Sequence, residues 1–169
     1  MPISQSLMPE LEMELASTRK CLERVPDAKL GFKPHERSMS AGDLVGHLAQ
    51  LPLWGVMTFD RAELDIEPVG GPAFVREPAT SVATELAEFD KRAAELKGWL
   101  VKTDDAGMMR PWTLLKGGNA VMTMPKIAVY RSFVMNHMIH HRGQLTVYLR
   151  MMDVPVPSTY GPSADEGAF

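Results

Sequence analysis

With Cys21 as its single cysteine, the 169-residue chain has no partner for an internal disulfide and no ligand set for a cysteine-based zinc finger. That scarcity suits a reducing compartment, and the expected location is cytoplasmic. No apolar run approaches the ~20 residues of a membrane span. The opening segment carries Glu10, Glu12 and Glu14 where a secretory leader would be basic and then apolar. Neither export nor a membrane partner is expected. An excess of positive charge is missing too: 18 lysines and arginines against 21 acidic residues leave a net charge of -3, with no basic cluster, so nucleic acid is not an expected partner. The catalytic signatures GxSxG, GxxxxGK, GxGxxG and HExxH are all lacking.

What is present is globular: 45% hydrophobic and 23% charged residues in 18.7 kDa, enough for one domain with its own core and too little for two. Four segments show helical periodicity separated by proline and glycine. The first, about 7–25, runs its stripe through Leu11, Leu15, Thr18, Leu22 and Val25. The second, about 41–63, opens on a capping box of Ser40 and Asp43 and turns Leu44, His47, Leu48, Leu51, Trp54 and Gly55 to one side, with a bend expected at Pro52. A proline- and glycine-rich crossover, 66–78, leads to the third, about 81–103. Trp112 to Met124, with Gly117 and Gly118 at its centre, has the pattern of a short β-hairpin. The fourth helix, about 125–152, carries Ile127, Tyr130, Val134, Leu145, Tyr148 and Met152 on one stripe. Four apolar stripes and a long crossover predict an all-α four-helix bundle over residues 1–169, with the hairpin before the last helix.

The chemistry sits in the histidines. His137 and His141 are four residues apart, one turn along the same helical face, and both fall on the predicted inward stripe of the last helix. His47 interrupts the apolar series of the second helix. His140 is turned away, toward the edge of the stripe. Burying three imidazoles without partners is costly, and a divalent cation removes that cost while leaving a coordination position open for water or substrate. Spacing alone leaves two alternatives: metal ligands, or packed histidines bonded to backbone carbonyls.

The remaining side chains offer less. Cys21 reads as a packed thiol, the 13 methionines as core filler, and Arg142 as a solvated or partner-facing cation. Trp54, Trp112 and Tyr160 are candidates for a pocket wall, though aromatics in a bundle are most often core.

The blocks Phe32-Lys-Pro-His-Glu-Arg-Ser-Met-Ser, Gly42-Asp-Leu-Val-Gly-His-Leu-Ala and Asn136-His-Met-Ile-His-His-Arg-Gly-Gln-Leu-Thr-Val-Tyr-Leu-Arg150 resemble the DinB family of metal-binding four-helix bundles. The closing Tyr160-Gly-Pro-Ser-Ala-Asp-Glu166 is similar as well. The resemblance covers most of the chain. It implies ligation of a divalent transition metal (nickel, zinc, iron or manganese) by His47, His137 and His141, an up-up-down-down bundle, and homodimerisation. It also implies an enzyme that activates a thiol or water, of thiol S-transferase or hydrolase type, with a low-molecular-weight thiol among its small-molecule substrates. The alternative is a non-catalytic metal-binding stress-response protein. No carboxylate can be placed beside the metal from spacing, which leaves His140 and Tyr130 as candidates for proton transfer.

Overall fold

A computed structural model describes residues 1–74, 76 and 78–167. Four long helices form the bundle. α1 (Ile3–Glu23) and α2 (Ala41–Asp60) lie diagonally across it, and each packs against both α3 (Val82–Lys102) and the last helical rod. That rod is continuous from Lys126 to Met151. It opens as α5 (Lys126–Val129), passes through a π-helical stretch (Tyr130–Met135), and continues as α6 (Asn136–Met151). Leu11, Leu22, Leu44, Leu48, Leu51, Leu96 and Leu100 are almost wholly buried between these helices. Burying a side chain of this size contributes roughly 1.5–3 kcal/mol, and the sum stabilises the bundle against its ordering entropy.

The helix ends follow local chemistry. Ser40 and Asp43 form the reciprocal cap: Asp43 N–H donates to Ser40 Oγ at 3.0 Å, and Ser40 N–H donates to Asp43 Oδ2 at 2.9 Å. α1 begins at Ile3, earlier than its stripe suggests, because Asp105 accepts the Ile3 N–H at 2.8 Å. Asp105 belongs to α4 (Asp105–Met109), a short helix with no advance signal in the sequence. Pro52 is accommodated within α2, and Arg92 Nη1 donates to the Ala49 carbonyl just before it, at 3.3 Å. At Gly55 the helices approach so closely that a Cβ would lie 2.6 Å from Leu96 Cδ1, so any larger residue would force the Leu96 side chain to move.

α2 stops at Asp60, short of the expected position 63. Glu63–Asp65 instead form strand β1, parallel to β2 (Pro111–Lys116), which pairs antiparallel with β3 (Asn119–Pro125). The hairpin is present where the sequence places it, with Gly117 and Gly118 at φ 59° and 75°, values that suit a two-glycine turn. β1 has no periodicity of its own because three residues are too few to show one. Its place is set by Asp65, whose carboxylate accepts the N–H groups of Gly117 at 3.1 Å and Gly118 at 2.7 Å. The sheet closes over a second, smaller core of Met57, Leu64, Trp112 and Val129. It therefore ties the exit of α2 to the entrance of the last rod.

Candidate metal centre

His47 projects from α2, and His137 and His141 from α6, into one place. Their donor nitrogens all lie within 4.8 Å of one another. His137 Nε2 is 3.1 Å from His47 Nε2 and 2.8 Å from His141 Nε2. Ligands about 2.1 Å from a shared ion are separated by about 3.0 Å at a right angle and about 3.4 Å at a tetrahedral one, so the 3.1 Å pair falls in that range and the 2.8 Å pair just below it, and the cluster could hold one ion.

The protons are arranged to match. His137 Nδ1 faces the Phe133 carbonyl at 3.4 Å, and His141 Nδ1 faces Gln144 Oε1 at 2.7 Å. Both oxygens only accept, so both Nδ1 atoms carry the hydrogen and both Nε2 atoms present lone pairs. Two such lone pairs at 2.8 Å repel unless a cation lies between them. Burial, with a further contribution from the neighbouring imidazoles and Arg76, holds His47 down to about 4, so it is neutral at physiological pH. Burial also lowers His137 and His141. Three neutral nitrogen donors fit a divalent transition metal, and no other cluster of this kind occurs among the described residues.

Arg76, from the crossover, lays its guanidinium over Gly46 beside His47 and pairs with Glu85 at 2.6 Å. On the other side of the triad is a cavity of about 100 Å³. His47 and Trp54 of α2, Trp112, Leu114 and Met122 of the sheet, and Val129, Phe133 and His137 of the last rod line it. Tyr160, the third aromatic suggested as a pocket wall, is elsewhere.

His140 is exposed, its ring 4.8 Å from that of His141. Tyr130 is fully buried in the main core against Phe59, its hydroxyl raised by burial, and it is not among the cavity residues. Cys21 is wholly buried and its thiol is pushed up to about 11, which removes it as a nucleophile at neutral pH.

Arg142 corrects the expectation of a solvated cation. It is only 2% exposed, with Nη1 2.6 Å from Glu14 Oε2 and Nη2 2.5 Å from the Tyr160 hydroxyl, which in turn donates to Glu14 at 2.8 Å. The cause is a phase shift. In a π-helical stretch the backbone bonds run i to i+5, so Tyr130–Met135 advances the buried face by one residue. Met138, Arg142, Leu145 and Leu149 then point to the core, leaving His137 and His141 half-buried at its edge, where a ligand can reach them. Sequence reasoning also passed over Gln144 and Glu14. Gln144 had a signal, an amide three residues beyond a histidine on one helix; Glu14 had one in lying beside Leu15 on the α1 stripe.

The class that fold and site define is a helical bundle whose rim carries three converging histidines able to hold a metal, and comparison narrows it. The family model described as DinB family matches residues 4–168, and the chain belongs to that family. Its fold is similar to the crystal structure of the DinB-like protein YjoA of Bacillus subtilis, with TM-score 0.68 and 19% identity over 91% of this chain and 96% of that one. A DinB-like protein from Bacillus cereus is similar at TM-score 0.69 and 22% identity, over 94% of this chain and 98% of the other. At these identities the likeness is one of fold. The uncharacterized protein YrdA of Bacillus subtilis shares 47% identity over 36 residues, and that match spans only 22% of its length.

Proposed function

We propose that the protein is an enzyme in which His47, His137 and His141 hold one divalent transition metal that activates a thiol or water for group transfer or hydrolysis. The observation that carries this reading is the convergence of three neutral imidazole donors, two of which, His47 and His137, line a cavity. When bound, such an ion lowers the pKa of a coordinated thiol or water and so supplies a nucleophile near neutral pH. The chain does the rest. Gln144 and the Phe133 carbonyl keep the imidazole protons on Nδ1, the cavity walls exclude water, and the exposed ring of His140, next to His141, is placed to pass a proton to solvent. Nickel, zinc, iron and manganese all accept imidazole nitrogen. The family relationship supports a low-molecular-weight thiol as co-substrate and a homodimer as the assembly.

His47→Ala should remove most of the bound metal and His140→Ala should not, as read by elemental analysis of the two purified variants. Equal retention in both would overturn the ligand assignment. The metal-loaded protein, screened with cellular thiols against electrophiles and with simple esters and amides, should turn over in one arm and lose that activity in His47→Ala.

A further inference from the structure

We infer that the cavity beside the triad seats an uncharged apolar group of the substrate, ring-sized or smaller, whose reacting atom then lies at the imidazoles. The last clause rests on the function proposed above; the binding of the apolar group does not.

The lining sets the chemistry. Apart from His47 and His137 the walls are Trp, Phe, Leu, Met and Val side chains. Of the two indole N–H groups on the wall, that of Trp112 is already spent on the Met57 carbonyl at 3.3 Å, which leaves the Trp54 N–H as the single donor besides the imidazoles. An anionic or strongly hydrogen-bonding group would therefore lose most of its water with one donor at most in return. A cationic group would meet aromatic faces, but would be repelled by an ion held at the three histidines. An uncharged apolar group meets neither objection.

The size is equally restrictive. About 100 Å³ is room for about three waters, which apolar walls would hold poorly, and it is less than the ~150 Å³ of an apolar cavity that takes benzene whole. A short branched alkyl group or one edge of a ring thus fits as the end of a larger molecule, with the remainder passing out at Phe133, which is 38% exposed. Phe74 braces the wall from behind, its ring edge-on to Trp54 at 5.5 Å.

The probe is toluene, added to the metal-free protein and followed in the indole N–H signals of its three tryptophans. Trp54 and Trp112 should shift together while Trp99, on α3 and stacked with Lys102, stays in place. Benzoate, the anionic counterpart of toluene, should bind at least about tenfold more weakly because its carboxylate must be desolvated with little in return. Leu114→Phe and Met122→Phe, which fill the cavity from two strands, should each weaken toluene by about tenfold or more through lost apolar contact, while metal content is unchanged. An unperturbed Trp99 signal shows which of the two remains folded.

No response at Trp54 and Trp112 in the folded protein, equal response at Trp99, tighter binding of benzoate, or unaltered binding in a folded filled variant would each overturn the inference. Toluene binding in a protein whose triad takes no metal would instead sink the proposed function and leave the apolar seat standing.

Discussion

Gln144 decides which nitrogen of His141 is free. By accepting from Nδ1 at 2.7 Å it fixes the tautomer and aims Nε2 at the other two imidazoles. Removing a partner of this kind costs about 10- to 100-fold in metal affinity. Gln144→Leu is accordingly expected to weaken metal binding by that range, measured by competition with a chelator of known affinity, while Gln144→Glu, which still accepts, retains it. At this scale the sequence was informative where a residue type has few uses. Spacing pairs His137 with His141, because i and i+4 share a face whether or not the phase of the stripe is known, and His47 stands out as the histidine that interrupts an apolar series. Arg142 was illegible for the complementary reason. Whether a long cation lies in the core or in solvent depends on a single residue of helical phase and on a carboxylate 128 positions away.

Elements with local causes could be read, and those with distant causes could not. The Ser40 cap is a local device, and its strength depends on the charge of Asp43. Hydrogen bonds from Ser40 hold the Asp43 carboxyl below its ordinary value of 3.8. The unfolded chain therefore takes up this proton at a higher pH than the folded one, so the contribution is complete above the unfolded value and fades as pH falls through the folded one. Ser40→Ala should cost about 1 kcal/mol at pH 7. The stability gap between the protein and Asp43→Asn should close as pH drops below about 4, the unfolded carboxyl value, when both are followed by urea titration. The hairpin was legible from its glycines for the same local reason. β1, α4 and the π-helical stretch were not, since a three-residue strand exists only because β2 is beside it, and a change from i+4 to i+5 bonding leaves the residue pattern looking like an ordinary helix.

Across the whole molecule the two cores and the candidate centre are separable. The main core needs no ion: it is closed by leucines of all four long helices, and the imidazoles lie at its edge. Chelation should leave the far-ultraviolet circular dichroism nearly unchanged, and extensive loss of helix would favour the stabilising role over the enzymatic one. A different tie holds the far side. Glu14 of α1, Arg142 of α6 and Tyr160 of the C-terminal tail form one buried polar cluster. Stripping one charge from a buried pair costs about 3–5 kcal/mol, whereas an apolar replacement of both is close to neutral. Glu14→Ala should therefore lower the thermal midpoint strongly, and Glu14→Leu with Arg142→Met should recover most of it. The cavity, by contrast, is floored by a hairpin that meets the bundle through the second, smaller core around Met57, Trp112 and Val129. Leu114 and Met122 behave as an interchangeable jaw on a fixed chassis: recutting that jaw would retune which molecules are gripped, while the vice that grips them keeps its hinge and its frame.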